Sequence, residues 1–198
     1  MKSLESMTTD AIAALETDPD LGPVIAEHGP VSIEPADDVF ERLVRSIISQ
    51  QVSTASATAI RGRVYDAVEI DPESIQSVDT RVLRDAGLSR QKVEYVRNVA
   101  DAFLANEYDR ATFAEMTNGE IIDELTAIKG VGVWTAKMQL IFTFGRPDVF
   151  PIEDLGIRNG MRELFGDDIT RTAMRERAEE WRPYRSVASL YLWRVVDG

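Results

Sequence analysis

The sequence predicts an all-α fold, and three observations predict it. Apolar residues recur at helical spacing in one segment after another. The segments are joined by short connections, as in packed helical proteins. Nowhere do alternating apolar and polar residues flank a hairpin-turn dipeptide, and no internal repeat or low-complexity stretch breaks the series.

The first 40 residues carry two short helical patterns, Thr9 to Glu16, with Thr8 or Thr9 as cap, and Leu21 to Glu27. Asp18-Pro19 and Gly29-Pro30 interrupt them. Residues 1–36 are therefore expected to form an acidic helical segment packed on the main body, with one domain over 37–198. After Pro35, the residues Val39, Phe40, Leu43, Val44, Ile47 and Ile48 share one helical face, which ends at Ser49-Gln50-Gln51-Val52-Ser53. A pair of glutamines closing an apolar helix is unusual, and by itself it suggests an exposed interhelical corner. The next helix spans Thr54 to Val68 and stops before Asp71-Pro72.

Two short helices follow, Glu73 to Val78 and Thr80 to Ala86, the second closed by Gly87. Ser89 then caps a longer helix through Lys92, Tyr95, Val96, Val99 and Phe103. Asn118 is expected to cap the next, whose buried stripe is Ile121, Ile122, Leu125 and Ile128. That stripe runs into the glycine hairpin Lys129-Gly130-Val131-Gly132, a second apolar helix, a proline-bearing loop, and Asp154 at the start of a further helix. The hairpin is placed within 125–145 and the loop within 146–156. Thr172 to Glu180 and Tyr184 to Val196, separated by Pro183, complete the series.

A chain of 198 residues, 44% of them hydrophobic, can bury one good core or two small lobes. No run approaches the roughly 18 apolar residues of a membrane span, and MKSLESMTTD lacks the apolar core of a signal peptide. A cytoplasmic location and no membrane partner are the expectation. The absence of cysteine excludes disulfides, thiolate metal sites and a thiol nucleophile. His28, the single histidine, cannot form a metal site alone, and no metal ligand set is expected.

The net charge of −12 argues against a nucleic-acid partner until its distribution is considered. Residues 1–40 hold nine carboxylates against Lys2, whereas residues 125–162 hold Lys129, Lys137, Arg146, Arg158 and Arg162 against Asp148, Glu153 and Asp154. The central stretch is thus locally basic. Lysine occurs only at 2, 92, 129 and 137, and its scarcity beside abundant Asp and Glu reads as adaptation to high internal salt. Full stability and activity in dilute buffer would count against that hypothesis.

The hairpin admits two readings. Structurally it is a tight αα turn whose glycines relieve strain; chemically, the N–H groups opening the following helix form an anion cradle. Asp154 is likewise either a plain N-cap or an ionised carboxylate favoured by the helix dipole. It lies 22 residues after Gly132.

Four separated segments resemble the helix-hairpin-helix DNA glycosylase superfamily, and within it the 3-methyladenine DNA glycosylase II branch. They are Leu43 to Ser53, then Gly87-Leu88-Ser89 with Lys92, then Leu125 to Asp154, and finally Trp181 to Ala188 with Leu192-Trp193. The resemblance implies a two-lobed helical fold with an active-site cleft between the lobes, and a monomer acting on double-stranded DNA that contains damaged bases. It implies hydrolysis of the bond between base and deoxyribose, with Asp154 as the catalytic aspartate; Glu153 is the lesser alternative. Where bifunctional members carry a Schiff-base lysine this chain has Trp134, so strand cleavage is not expected, and Lys137 is expected to face phosphate or solvent.

A flipped base would be stacked by aromatic side chains. By the resemblance Trp134 and Trp193 line that pocket, with ordinary core as the competing reading; Met138 stands where a relative has a tyrosine, so the pocket wall differs there, and Phe40 and Tyr191 are further candidates with core as the favoured role. Gln51 would be the wedge filling the gap left by the base, with Gln50 beside it. Lys129, Gly130, Val131, Gly132 and Thr135 would hold the DNA backbone, and Ser53, Ser89 and Lys92 are weaker contacts, since small polar residues at helix ends are usually caps. No cofactor is required, which leaves room for a structural monovalent cation on the hairpin. Two alternatives stay open: a glycosylase for deaminated or oxidised purines, and a non-catalytic hairpin module that only binds DNA.

Overall fold

In a computed structural model, which describes residues 4–36, 38–106 and 108–197 with side chains from 7 to 196, there are thirteen α-helices and no strand among the described residues. No helix among them is long and apolar enough to cross a membrane. The chain divides into two compact units, one contiguous from Ala36 to Gln139, the other formed by residues up to Pro35 together with those from Leu140 onward.

The contiguous unit is built around α7 (Arg90–Asn106), with α3 (Val39–Ser49) and α5 (Pro72–Ser77) packed on it. The α3 face anticipated from its spacing is buried throughout, from Val39 to Ile48. It packs on α7, whose Val93, Val96, Val99 and Phe103 are buried, and Phe40 sits edge-on to Phe103 with ring centroids 5.4 Å apart. Helices α4 (Thr54–Ala67) and α6 (Thr80–Asp85) flank this pair. The second of them closes as a Schellman turn, Gly87 N–H on Arg84 O and Leu88 N–H on Leu83 O, with Leu83 and Leu88 both buried.

Two features of this unit differ from expectation. Thr117, and not Asn118, caps α9 (Asn118–Ala127): its hydroxyl accepts from the Glu120 N–H while the Glu120 carboxylate accepts from the Thr117 N–H. This Thr-x-x-Glu capping box satisfies two helix-end donors reciprocally, an advantage that Asn118 could not match. A further single-turn helix, α8 (Arg110–Ala114), was too short to leave a periodic signal; Asp109 caps it and it seats Phe113 in the core.

The other unit contains α1 (Leu4–Leu15), α2 (Leu21–His28), α11 (Leu155–Phe165), α12 (Arg171–Glu179) and α13 (Arg185–Asp197). Helix α1 begins earlier than its sequence pattern suggested, so Thr8 and Thr9 lie inside it and neither is its cap. Thr8, Ala11 and Leu15 form the buried face. Helix α13 is the spine, packed by α11, α2 and α1. Its closest neighbour is α11, where Gly160 makes the approach possible: a Cβ there would lie 2.3 Å from the Leu192 carbonyl oxygen. Helix α10 (Val133–Phe142) carries the chain from one unit into the other and is buried along most of its length.

Candidate active site

The candidate residues form two groups, one in each unit. In the contiguous unit, three segments distant in sequence line one pocket of about 380 Å³: Gln50 and Gln51 after α3, Ser89 to Tyr95 at the start of α7, and Gly130 to Gly132 of the hairpin. Hydrogen bonds tie the segments together. Gln50 Nε2 donates to Gly130 O at 3.2 Å, and Lys92 Nζ donates to Ile48 O at 2.6 Å, at the C-terminal end of α3. Burial pushes the Lys92 ammonium below its ordinary pKa. Gln51 holds φ +55°, the one positive φ outside glycine among the described residues. A left-handed non-glycine residue costs about 1–2 kcal/mol and persists where its neighbours over-determine it, as the anchored Ile48 and Gln50 before it and the Ser53-capped start of α4 after it do here.

The hairpin glycines have separate reasons. Gly130 sits at φ +110°, and a Cβ on it would fall 2.3 Å from the Tyr95 ring. Gly132 has nothing within 4 Å of such a Cβ, so intramolecular packing does not demand glycine there. It is exposed beside the first N–H groups of α10, which lack intrahelical partners by construction and carry the positive end of the helix dipole. The turn carbonyls of Ile128, Lys129 and Gly130 accept from Val131 N, Asn98 Nδ2 and Gln50 Nε2. Lys129 itself forms a 2.5 Å surface pair with Glu94, whose carboxylate hydrogen bond holds the ammonium pKa above its ordinary value.

In the other unit, Asp154 is the N-cap of α11, with extended backbone and its Oδ1 accepting the Ile157 N–H at 3.0 Å. Its own N–H bonds Pro151 O at 2.8 Å. The same Oδ1 accepts the Trp193 indole N–H at 2.8 Å. Glu153 is exposed, and its carbonyl accepts from Arg158 Nη1 at 2.6 Å. The loop leading to Asp154 is fixed by the start of α13: Ser186 Oγ donates to Arg146 O at 2.6 Å and accepts from Val149 N at 3.0 Å, and Ser186 N bonds Pro147 O. Asp148 is gripped by Arg185 on both carboxylate oxygens and by Arg182.

Several expected residues are placed in the core. Tyr191 is fully buried and its hydroxyl donates to Gly29 O at 3.1 Å; Phe40 belongs to the α3–α7 packing described above. Thr135, 2% exposed, is buried. Met138 is also buried, whereas Trp134 and Trp193 are half-buried. Ser53 and Ser89 do cap α4 and α7, the bland role, although Ser89 also lines the pocket. Sequence reasoning missed Tyr95 and Ser186. Tyr95 was findable, being one helical turn from Lys92 on the same face of α7. Among the described residues no cluster of His, Asp or Glu is built to hold a metal ion.

An all-helical fold with a glycine hairpin at one helix start and a carboxylate capping another helix 22 residues on offers backbone N–H groups suited to an anion and a fixed carboxylate. The chain belongs to the HhH-GPD superfamily of base excision DNA repair proteins, whose family profile matches residues 44–184. It is 35% identical over 164 residues to DNA-3-methyladenine glycosylase 1 of Schizosaccharomyces pombe, covering 79% of this chain and 72% of the relative. The crystal structure of a DNA-3-methyladenine glycosidase from Bacillus halodurans superimposes with a TM-score of 0.83 at 34% identity, over 98% of this chain and 90% of that one. A 3-methyladenine DNA glycosylase of S. pombe in complex with abasic DNA also gives 0.83, at 30% identity over 93% and 95% of the two chains. These relatives lend no support to the salt adaptation read from composition.

Proposed function

We propose that the protein is a monofunctional DNA-3-methyladenine glycosylase of base excision repair, cleaving the N-glycosidic bond of alkylated purines in double-stranded DNA by hydrolysis. The observation that carries this is Asp154, a carboxylate fixed by the Ile157 N–H and the Trp193 indole at a helix start, in a chain of this family. As the bond between C1′ and the base nitrogen breaks, positive charge builds on the sugar. A pre-oriented carboxylate stabilises that charge and can orient or deprotonate the attacking water. A purine alkylated at N3 or N7 carries its own positive charge on the ring and departs as a neutral base without needing a proton, which leaves the sugar as the centre that a carboxylate's negative charge must stabilise.

In this reading the N–H groups from Gly132 into the first turn of α10 take a phosphate, and Gln51 fills the gap left by the flipped base from its left-handed position. Trp134 stacks on that base. Because Trp134 stands where a Schiff-base lysine would, the product is an intact abasic strand. A monovalent cation on the turn would share carbonyls that already accept hydrogen bonds, and no step is assigned to it.

The test is a set of duplexes, each with one defined lesion, incubated with the enzyme and analysed with and without alkali. Breaks that require alkali, at 3-methyladenine or another alkylated purine, are expected. Asp154→Asn, which keeps the cap, should lose about 10²-fold or more in rate while retaining DNA binding. Release of no base from any duplex, or a near-normal Asp154→Asn enzyme, would reject the assignment, and borohydride trapping of an adduct through Lys137 would reject the hydrolytic subtype.

A further inference from the structure

We infer that Trp193 is a positioning residue that fixes the Asp154 carboxylate for catalysis through its indole N–H, and is not primarily a stacking face for the flipped base. The inference rests on the reading of Asp154 as the catalytic acid. Its basis is the 2.8 Å bond from Trp193 Nε1 to Asp154 Oδ1, an oxygen that also accepts the Ile157 N–H at 3.0 Å. One donor from the backbone and one from a side chain set the rotation of the carboxylate as well as its place.

The surroundings are shaped for this contact. A Cβ at Gly156 would stand 2.8 Å from Trp193 Cδ1 and 3.0 Å from Asp154 Oδ1, so the absence of a side chain there admits the indole edge. Phe142 supports the indole ring, centroids 5.7 Å apart and 31° between planes. Gly160, one turn further along α11, lets the Leu192 backbone approach and so brings the neighbouring Trp193 to the right depth. An indole donor fixed on the acid costs no reorganisation when charge develops on the sugar, which is the condition under which an electrostatic group helps most. Loss of one hydrogen bond to a charged group corresponds to roughly 10- to 100-fold in rate.

The experiment compares wild type, Trp193→Phe, Trp193→His and Asp154→Asn in single-turnover reactions with enzyme in excess. One duplex carries a cationic 7-methylguanine and another a neutral hypoxanthine. Trp193→Phe keeps an aromatic face but no donor, and should slow excision roughly 10- to 100-fold by the same factor on every base that wild type releases, with duplex affinity held. Trp193→His restores an N–H and should recover part of the rate. A benzothiophene analogue of tryptophan at 193, equal in shape but without the N–H, should behave as Trp193→Phe, and it replaces that variant should Phe disturb folding. Wild-type rates in the donor-free proteins overturn the inference, as does a loss confined to the cationic base, which would mark stacking. An active Asp154→Asn enzyme defeats the underlying reading, whereas an inactive one beside fully active donor-free variants defeats only the role of Trp193.

Discussion

At the scale of single residues, Gly130 shows how a site position can be fixed twice over. Its φ of +110° is outside the range of L side chains, and its missing Cβ is the space that the Tyr95 ring occupies. Gly130→Ala is expected to cost about 2 kcal/mol or more, lowering Tm by roughly 4–8 °C, and to weaken binding to abasic duplex; thermal unfolding and a titration check the two effects. An unchanged Tm would show that the hairpin can re-form around a side chain. Asp154 was legible in the sequence for a local reason, since an acid shortly after a proline and before an apolar helix is an N-cap pattern. Its bond to Trp193 was not legible. The two residues lie 39 apart, and only the packing of α11 on α13 brings them together. The same holds for Gln50, whose meeting with Gly130 spans 80 residues.

At the scale of elements, α13 does more than fill a core. Its first turn fastens the 146–149 loop through Ser186 and Arg185, and a later turn reaches Asp154 through Trp193. Ser186→Ala would leave the buried Val149 N–H without its acceptor and take a donor from Arg146 O, at a cost of about 1–3 kcal/mol. We predict a matching loss in chemical-denaturation stability together with a several-fold slower excision at unchanged DNA affinity. A variant as stable and as fast as wild type would show that the loop holds its shape without this clamp. The segment containing Ser186 matched the family in sequence, yet periodicity could not reveal a role that lies in a hydrogen bond across 40 residues. Helices with several buried turns, such as α3 and α7, were readable because burial imposes a period; α8, one turn held by its cap and Phe113, was not.

At the scale of the molecule, Arg177 helps to secure the acidic N-terminal stretch. Arg177 of α12, largely buried, bonds Asp18 and Asp20 and lies over the Phe165 and Trp181 rings, while the Trp181 indole donates to Asp18. Burial alone would raise the Asp18 pKa, but the Arg177 bond, the N–H groups of Leu21 and Asp20 and the indole outweigh it and hold the group below its ordinary 3.8. A carboxylate depressed in the folded state contributes stability above its unfolded pKa and loses it as pH falls through the folded one. Asp18→Asn should therefore be less stable than wild type at pH 7, by about 1.5–3 kcal/mol, and the gap should narrow below about pH 4. Urea unfolding at pH 7 and pH 3 reads both ends, and a gap equal at the two pH values would remove Asp18 from this role.

That tether joins residues 159 apart, and α1 and α2 likewise pack on α13, near the other end of the chain. During synthesis the middle unit, Ala36 to Gln139, is complete on the ribosome while the first two helices still lack the spine they pack against. Helices α1 and α2, made before that unit, are thus buried after it. The carboxylate at 154 attains its final hold only once Trp193 has left the exit tunnel, so an unfinished chain could own the hairpin and the glutamine pair without yet owning a fully oriented acid.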